Sequence, residues 1–327
     1  MNEPIDDLAQ VRQRLLSTRK IAIQIVGFLI GAALITYLII VAVKNGIWDD
    51  LSNANPGMLI LLVALGLLST VLDGIVFWGI LLPYRKLSFM QVQAVNMSAS
   101  FLNLMPVRVG TVFRVVYHAQ VDGVPLIPIF GWFAAITVTT IASLGTIAVA
   151  TLLTPALSLQ WFLFIFAGYL VSGLIIWGIT HIPIIKRIGG GAEKMFGDPR
   201  ALCVGLIGRF VVLASVCGRL AVAGVIIGLE LSVQDIILLS VAMILVSFNP
   251  LGRFGWREAT LAFLAPYIAP EALNLLNEGD ENKLALIESA GEASALIIFG
   301  VIALLWAAPR LLRKRPATNT ATTSSNE

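Results

Sequence analysis

Six long apolar runs leave this chain few folds to choose from. They cover residues 21–43, 57–82, 128–153, 160–180, 201–229 and 284–308. The first would extend about 34 Å as a helix at 1.5 Å per residue, enough to cross a hydrocarbon core of about 30 Å. It is too long for a signal-peptide core, and no small-residue cleavage site follows it, so it reads as a retained span. Charged residues make up 13% of the chain, against roughly 25% in soluble domains. An all-α polytopic membrane protein is therefore expected. No polar segment is long enough to bury a second core, which argues against a soluble catalytic domain.

The basic residues sit where membrane topology is encoded. Arg12, Arg14, Arg19 and Lys20 precede the first span, Arg85 and Lys86 share one loop, and Lys186, Arg187, Lys194 and Arg200 another. Arg310, Arg313, Lys314 and Arg315 follow the last span. The intervening loops, around Asp49 and Asp50, residue 156, and Glu271, Glu278, Asp280 and Glu281, are poor in Lys and Arg. The positive-inside rule puts the basic loops and both termini in the cytoplasm, and six crossings satisfy every loop. The organisation expected is a cytoplasmic amphipathic segment over 1–20, a single membrane domain over 21–310, and a basic then disordered tail over 311–327. The net charge of +3 is explained by these loops, and nucleic-acid binding is not expected. Cys203 and Cys217 fall in one helical run, too far apart to bridge, and two histidines form no metal cluster. No cofactor is expected.

Two stretches remain, roughly 87–118 and 234–268, each beginning and ending on the same side in this topology. Each is apolar, broken near its middle by Pro and Gly, and resumes as a shorter helix, the pattern of a re-entrant hairpin. Irregular backbone at membrane depth is tolerated where it is buried in protein or lines a wet cavity. The alternative is two ordinary spans per stretch and ten crossings.

The centres of the two stretches match. "SFLNLMPVRVGTVFR" and "SFNPLGRFGWRE" each carry Ser-Phe, an Asn, a Pro, then Arg-x-Gly and a further arginine. Entering from opposite sides, they suggest an inverted-topology repeat of the kind many transporters use. Pro106 and Pro250 end the preceding helices, while Gly110, Gly252 and Gly255 allow tight turns or close approach, making these positions hinge candidates. Helices restarting near Thr111 and Trp256 would aim free N–H groups at the break. Arg108, Arg114, Arg253 and Arg257 add positive charge suited to a phosphate. With Arg209 and Arg219 these make six embedded arginines, which would cost about 15–20 kcal/mol if all faced lipid at about 2.5–3.5 kcal/mol each. They must pair with Asp73, Glu258, Glu288 and Glu292 or line a hydrated groove. Glu288 and Glu292, four apart on one helix face, suit either a proton relay or partnership with Arg209 and Arg219. Asp73 suits either proton carriage or an ion pair. The stretch "RIGGGAEK" lacks the spacing of a phosphate-binding loop.

On these motifs the chain resembles the lysylphosphatidylglycerol synthase transmembrane-region family, also called flippase-like, over about residues 20–310. "PVRVGTVFR" is similar to its P-x-R-x-G-[ED]-x-x-R element through Pro106, Arg108, Gly110 and Arg114. "PLGRFGWRE" is similar to its P-G-G-x-G-x-x-E element through Gly252, Gly255 and Glu258. Thr111 stands where the family usually has an acid, and Arg253 replaces one glycine, so both sites should be more positive. The resemblance implies a bacterial or archaeal cytoplasmic membrane and movement of a phospholipid between leaflets. These residues are not expected to include the lipid-aminoacylating domain found in some members, and no enzymatic activity is expected.

The function expected is thus a lipid translocase that grips an anionic or amphiphilic lipid headgroup through Arg108, Arg114, Arg253, Arg257 and Glu258. A proton-coupled small-molecule transporter using Asp73, Glu288 and Glu292 is the second reading. A non-catalytic partner of a separate lipid-synthesising enzyme is the third.

Overall fold

The computed structural model describes residues 18–105, 109–182, 192–248, 255–273 and 279–312. Among these, every element is helical. In chain order they are α1 (Thr18–Lys44), α2 (Ile47–Asn53), α3 (Pro56–Leu81), α4 (Phe89–Leu102), α5 (Val109–Gln120), α6 (Leu126–Leu153) and α7 (Leu159–Thr180). There follow α8 (Glu193–Gly197), α9 (Pro199–Ile226), α10 (Val233–Val246), α11 (Trp256–Ile268), α12 (Pro270–Leu273) and α13 (Asp280–Leu312). Six of them, α1, α3, α6, α7, α9 and α13, are long and apolar enough to cross a membrane. Their positions match the six runs read from the sequence to within a few residues. The N-terminal segment up to residue 17, the loop over 183–191 and the tail from 313 onward lie outside the described residues.

Polar punctuation sets the helix starts. Asn55 accepts from the Gly57 N–H at 2.8 Å and Asp198 from the Arg200 N–H at 2.7 Å, each followed at once by a proline that needs no N–H partner. Ser88 and Ser158 cap α4 and α7 in the same way. Ser232 and Asp235 form a reciprocal capping box at the start of α10.

The centre of the molecule is the pairing of α3 with α9, flanked by α13 and α6. Small residues bring these backbones together. A Cβ on Gly66 of α3 would lie 2.7 Å from the Gly291 carbonyl oxygen of α13, and one on Gly208 of α9 would lie 2.6 Å from Val76 of α3. Such contacts supply van der Waals packing where lipid tails remove most of the hydrophobic drive between helices. Helix α9 is the most enclosed of the six long helices and α7 the least. The outer faces carry Phe162, Leu163, Phe166 and Leu170 on α7, among many other exposed apolar side chains.

The two leftover stretches form two pairs of short helices, α4 with α5 and α10 with α11. At 14 residues, α4 spans only about 21 Å, short of a full crossing. The first pair is antiparallel, because its contacts join both ends. At the turn, the Asn103 carboxamide accepts from the Thr111 N–H at 3.2 Å. At the open end, Gln91 donates to Asp122, whose other oxygen lies 2.6 Å from His118 Nδ1. In the second pair, Leu239 and Met243 of α10 share a core cluster with Leu261, Ala262 and Ala265 of α11. Both pairs are compatible with re-entrant hairpins, and α4 and α11 both pack against α13.

Candidate functional site

Four consecutive residues at the start of α11 each have a distinct job. Gly255 adopts φ 78°, and a Cβ there would lie 1.8 Å from the Gly31 carbonyl oxygen of α1. Only glycine combines that dihedral with that approach. Trp256 donates its indole N–H to the Gly27 carbonyl at 3.0 Å, fixing the helix start against α1. Arg257 reaches inward to both Glu288 and Glu292. Glu258 accepts from Ser289 at 2.7 Å, and its second oxygen has no protein partner among the described residues.

The glutamates are shared with Arg219. Its Nε and Nη2 both lie 2.6 Å from Glu288 Oε1, Nη2 lies 2.8 Å from Glu292 Oε2, and Nη1 donates to Ser69 at 3.1 Å. Arg219 and Glu288 are fully enclosed, at 1% and 0% exposure, while Glu292 keeps 11% of its side chain open. Among the described residues, two guanidinium groups and two carboxylates thus form a quartet across α9, α11 and α13. The spacing of Glu288 and Glu292 on one face of α13 is what allows both arginines to reach both acids.

A second charged group lies on the side of the first hairpin. Arg209 of α9 is ion-paired with Asp73 of α3. Asp73 accepts from the Asn96 side chain of α4 at 3.4 Å, and Asn96 in turn accepts from Arg114 of α5 at 2.6 Å. The Arg114 guanidinium carbon sits 4.1 Å above the centre of the Phe77 ring, a cation–π contact. Gly110, one turn earlier, sits where a Cβ would be 1.8 Å from the Ala99 carbonyl oxygen. The first motif therefore needs its glycine because α5 touches the backbone of α4.

Between the two groups lies a cavity of about 220 Å³. Ser69, Thr70, Asp73, Arg209, Arg219, Arg257 and Glu292 line it, together with Ser100 at the end of α4 and Ser247 just beyond α10. Its polar lining thus comes mainly from α3, α9 and α13, with Ser100, Ser247 and Arg257 added from beside the breaks of the helix pairs. Ser69 and Asn96 were not singled out in the sequence, whereas Ser100 and Ser247 are the serines of the matched Ser-Phe pairs. The signal that could have marked Ser69 and Thr70 is their place one turn before Asp73.

Of the residues the sequence proposed, Asp73, Arg209, Arg219, Arg257 and Glu292 meet at this cavity, Glu288 lies behind Glu292, and Arg114 and Glu258 stand one contact away. Glu288 and Glu292 pair with Arg219 and Arg257, whereas Arg209 takes Asp73 instead of either glutamate. Among the described residues, the arginines Arg114, Arg209, Arg219 and Arg257 are equalled in number by the acids Asp73, Glu258, Glu288 and Glu292. The expected excess of positive charge therefore rests on Arg108 and Arg253, which, with Pro106, Pro250 and Gly252, lie outside the described residues. Cys203 and Cys217 are both free thiols. No group of three or more His, Cys, Asp or Glu side chains among the described residues is arranged to hold a metal ion.

Comparison with known proteins gives one family model, the lysylphosphatidylglycerol synthase TM region, matching residues 24–276. The match takes in both helix pairs and ends before α13, so Glu288 and Glu292 lie beyond it. No curated protein and no solved structure matches the chain. A model that covers residues 24–276 spans well over half of the sequence, and the chain belongs to the lysylphosphatidylglycerol synthase TM region family.

Proposed function

We propose that the chain is a membrane lipid translocase in which α4–α5 and α10–α11 are re-entrant hairpins related as an inverted repeat. A headgroup occupies the cavity between them while its tails remain in the bilayer. The observation that carries this reading is the cavity itself, where five charged residues stand among apolar lining side chains such as Phe77, Val216 and Phe248. Its size decides between ligand classes. About 220 Å³ is below the roughly 300–1,000 Å³ of sites that enclose a whole drug-sized ligand, so it suits a headgroup but not an entire lipid. Arginines offering paired N–H donors favour a phosphate over a neutral group. Membership of a family named for a lipid synthase's membrane region agrees with a lipid substrate. The site carries no arrangement for bond-making chemistry in this reading, and a separate lipid-synthesising enzyme would supply the lipid. The basic loops favour cytoplasmic termini, and the family resemblance favours a bacterial or archaeal cytoplasmic membrane in this reading.

A second reading, a proton-coupled small-molecule transporter, is favoured by the carboxylate pair, since Glu288 Oε2 has no partner among the described residues. Purified protein in liposomes separates the two. Labelled phosphatidylglycerol, polyprenyl phosphate and a hopanoid are added in turn, and leaflet exchange is followed against empty liposomes. The translocase reading expects faster exchange for at least one of them. Exchange equal to that of empty liposomes for all three would remove it.

A further inference from the structure

We propose that the groove between α7 and α9 binds one anionic phospholipid, with an acyl chain lying along the groove and the phosphate at Arg200. The groove lies on a different face of α9 from the polar cavity and is independent of what that cavity carries.

The lining sets the chemistry of the guest. The groove has a volume of about 650 Å³ and is walled by Phe166, Leu170 and Trp177 of α7 and by Leu202, Leu206 and Ile207 of α9. Apart from Trp177 at one end, the polar side chains that line it among the described residues are Tyr169 and Cys203. The Tyr169 hydroxyl lies 2.6 Å from Ser143 Oγ, which donates to the Leu206 carbonyl at 3.1 Å, so the tyrosine proton is spent inside the bundle. A thiol is only a weak donor. Hydrocarbon is therefore the guest that loses nothing here.

Shape narrows it further. Helix α7 packs chiefly on α6 and touches α9 lightly, and at Gly173 its wall recedes, since an added Cβ would meet only Leu206, 3.8 Å away. Along α9 the lining runs from Pro199 to Phe210, about 17 Å at 1.5 Å per residue, against about 15 Å for the hydrocarbon of one leaflet. A helix from a second copy would need small residues on the walls to come close. These walls present phenylalanine, leucine and tryptophan, with Gly173 set back between them. A flexible acyl chain suits them better.

Charge stands at one end only. Helix α7 ends at Thr180 and α9 begins at Pro199, so Trp177 and Pro199 mark the same end of the groove. Arg200 lies three and seven positions before Cys203 and Ile207, which puts it on the groove side of α9. Its side chain is exposed and has no partner among the described residues, while the neighbouring Asp198 is spent on capping the Arg200 N–H. Residues 181–200 carry four basic side chains against two acids. An anion is favoured at this end, and a phosphate matches the guanidinium fork. Trp177 has the apolar ring and polar N–H that tryptophans place at a membrane interface. A phospholipid joins the two requirements in one molecule.

Retained lipids can be counted. Native mass spectrometry of the full chain in neutral detergent is run with added dioleoyl-phosphatidylglycerol or dioleoyl-phosphatidylcholine. The wild type should hold phosphatidylglycerol about tenfold more tightly than phosphatidylcholine. Gly173→Leu, which fills the groove, should lose one bound lipid of either kind. Arg200→Gln should lose the preference for the anionic lipid. Gly178→Leu, at a glycine outside the lining with nothing within 4 Å of an added Cβ, should bind as the wild type does. No retained lipid, equal affinity for the two lipids, or retention unchanged by both Gly173→Leu and Arg200→Gln would overturn the inference. A lipid-free dimer that Gly173→Leu splits into monomers would overturn it too and give the groove to a second copy. Should Gly173→Leu not fold, Arg200→Gln decides alone. Neither substitution touches the polar cavity, so lipid bound there is told apart and leaflet exchange is read separately.

Discussion

Arg219 shows how a membrane-embedded charge becomes tolerable. Alone at the bilayer centre an arginine costs about 2.5–3.5 kcal/mol or more, yet here every terminal nitrogen has a partner and the side chain is 1% exposed. Its removal has a predictable sign. Arg219→Met takes one of the two described arginines from Glu288 and Glu292 and should destabilise the protein by about 3–5 kcal/mol. Adding Glu288→Met returns the group to one arginine and one acid, and most of that loss should be recovered. Thermal unfolding in detergent checks both. A double variant as unstable as the single one would show that charge balance is not what holds the quartet together.

The helix pairs owe their shape to two glycines in matched motifs. Gly110 lets α5 touch the α4 backbone, and Gly255 lets the start of α11 touch α1. Gly110→Ala and Gly255→Ala should each lower the unfolding temperature, because the new methyl meets a fixed carbonyl oxygen at 1.8 Å. Gly145→Ala on α6 is the control. Nothing lies within 4 Å of its added methyl, and alanine in a helix is favoured by roughly 0.5–1 kcal/mol. Equal stability in all three variants would contradict the close-approach account. At this scale much was legible in the sequence. The six spans could be read because hydropathy adds along a helix, and the motif glycines because Pro and Gly punctuate an apolar run. The partners were not legible. That Arg209 would meet Asp73, 136 positions away, and Arg257 the two glutamates depends on how long helices pack. Asn96 gave no signal, and Asn103 stood in the matched motif without revealing its bond, since the groups they bond lie across a turn or on another helix.

In the whole molecule these pieces meet at one place. Helices α3 and α9 pack as a central pair, each helix hairpin brings its break to their side, and α13 closes the quartet. The cavity thus has one wall from each half of the chain, with Ser100 from the first and Ser247 from the second. If a headgroup passes through it, plugging the space from either half should stop the passage without unfolding the protein. The most direct measurement is the rate of labelled phosphatidylglycerol exchange between leaflets in liposomes carrying the wild type, Ser100→Phe or Ser247→Phe, each confirmed folded by its unfolding temperature. The prediction is exchange well above empty liposomes for the wild type and close to the empty rate for both plugged variants. Exchange that is as fast in the plugged proteins as in the wild type would contradict it.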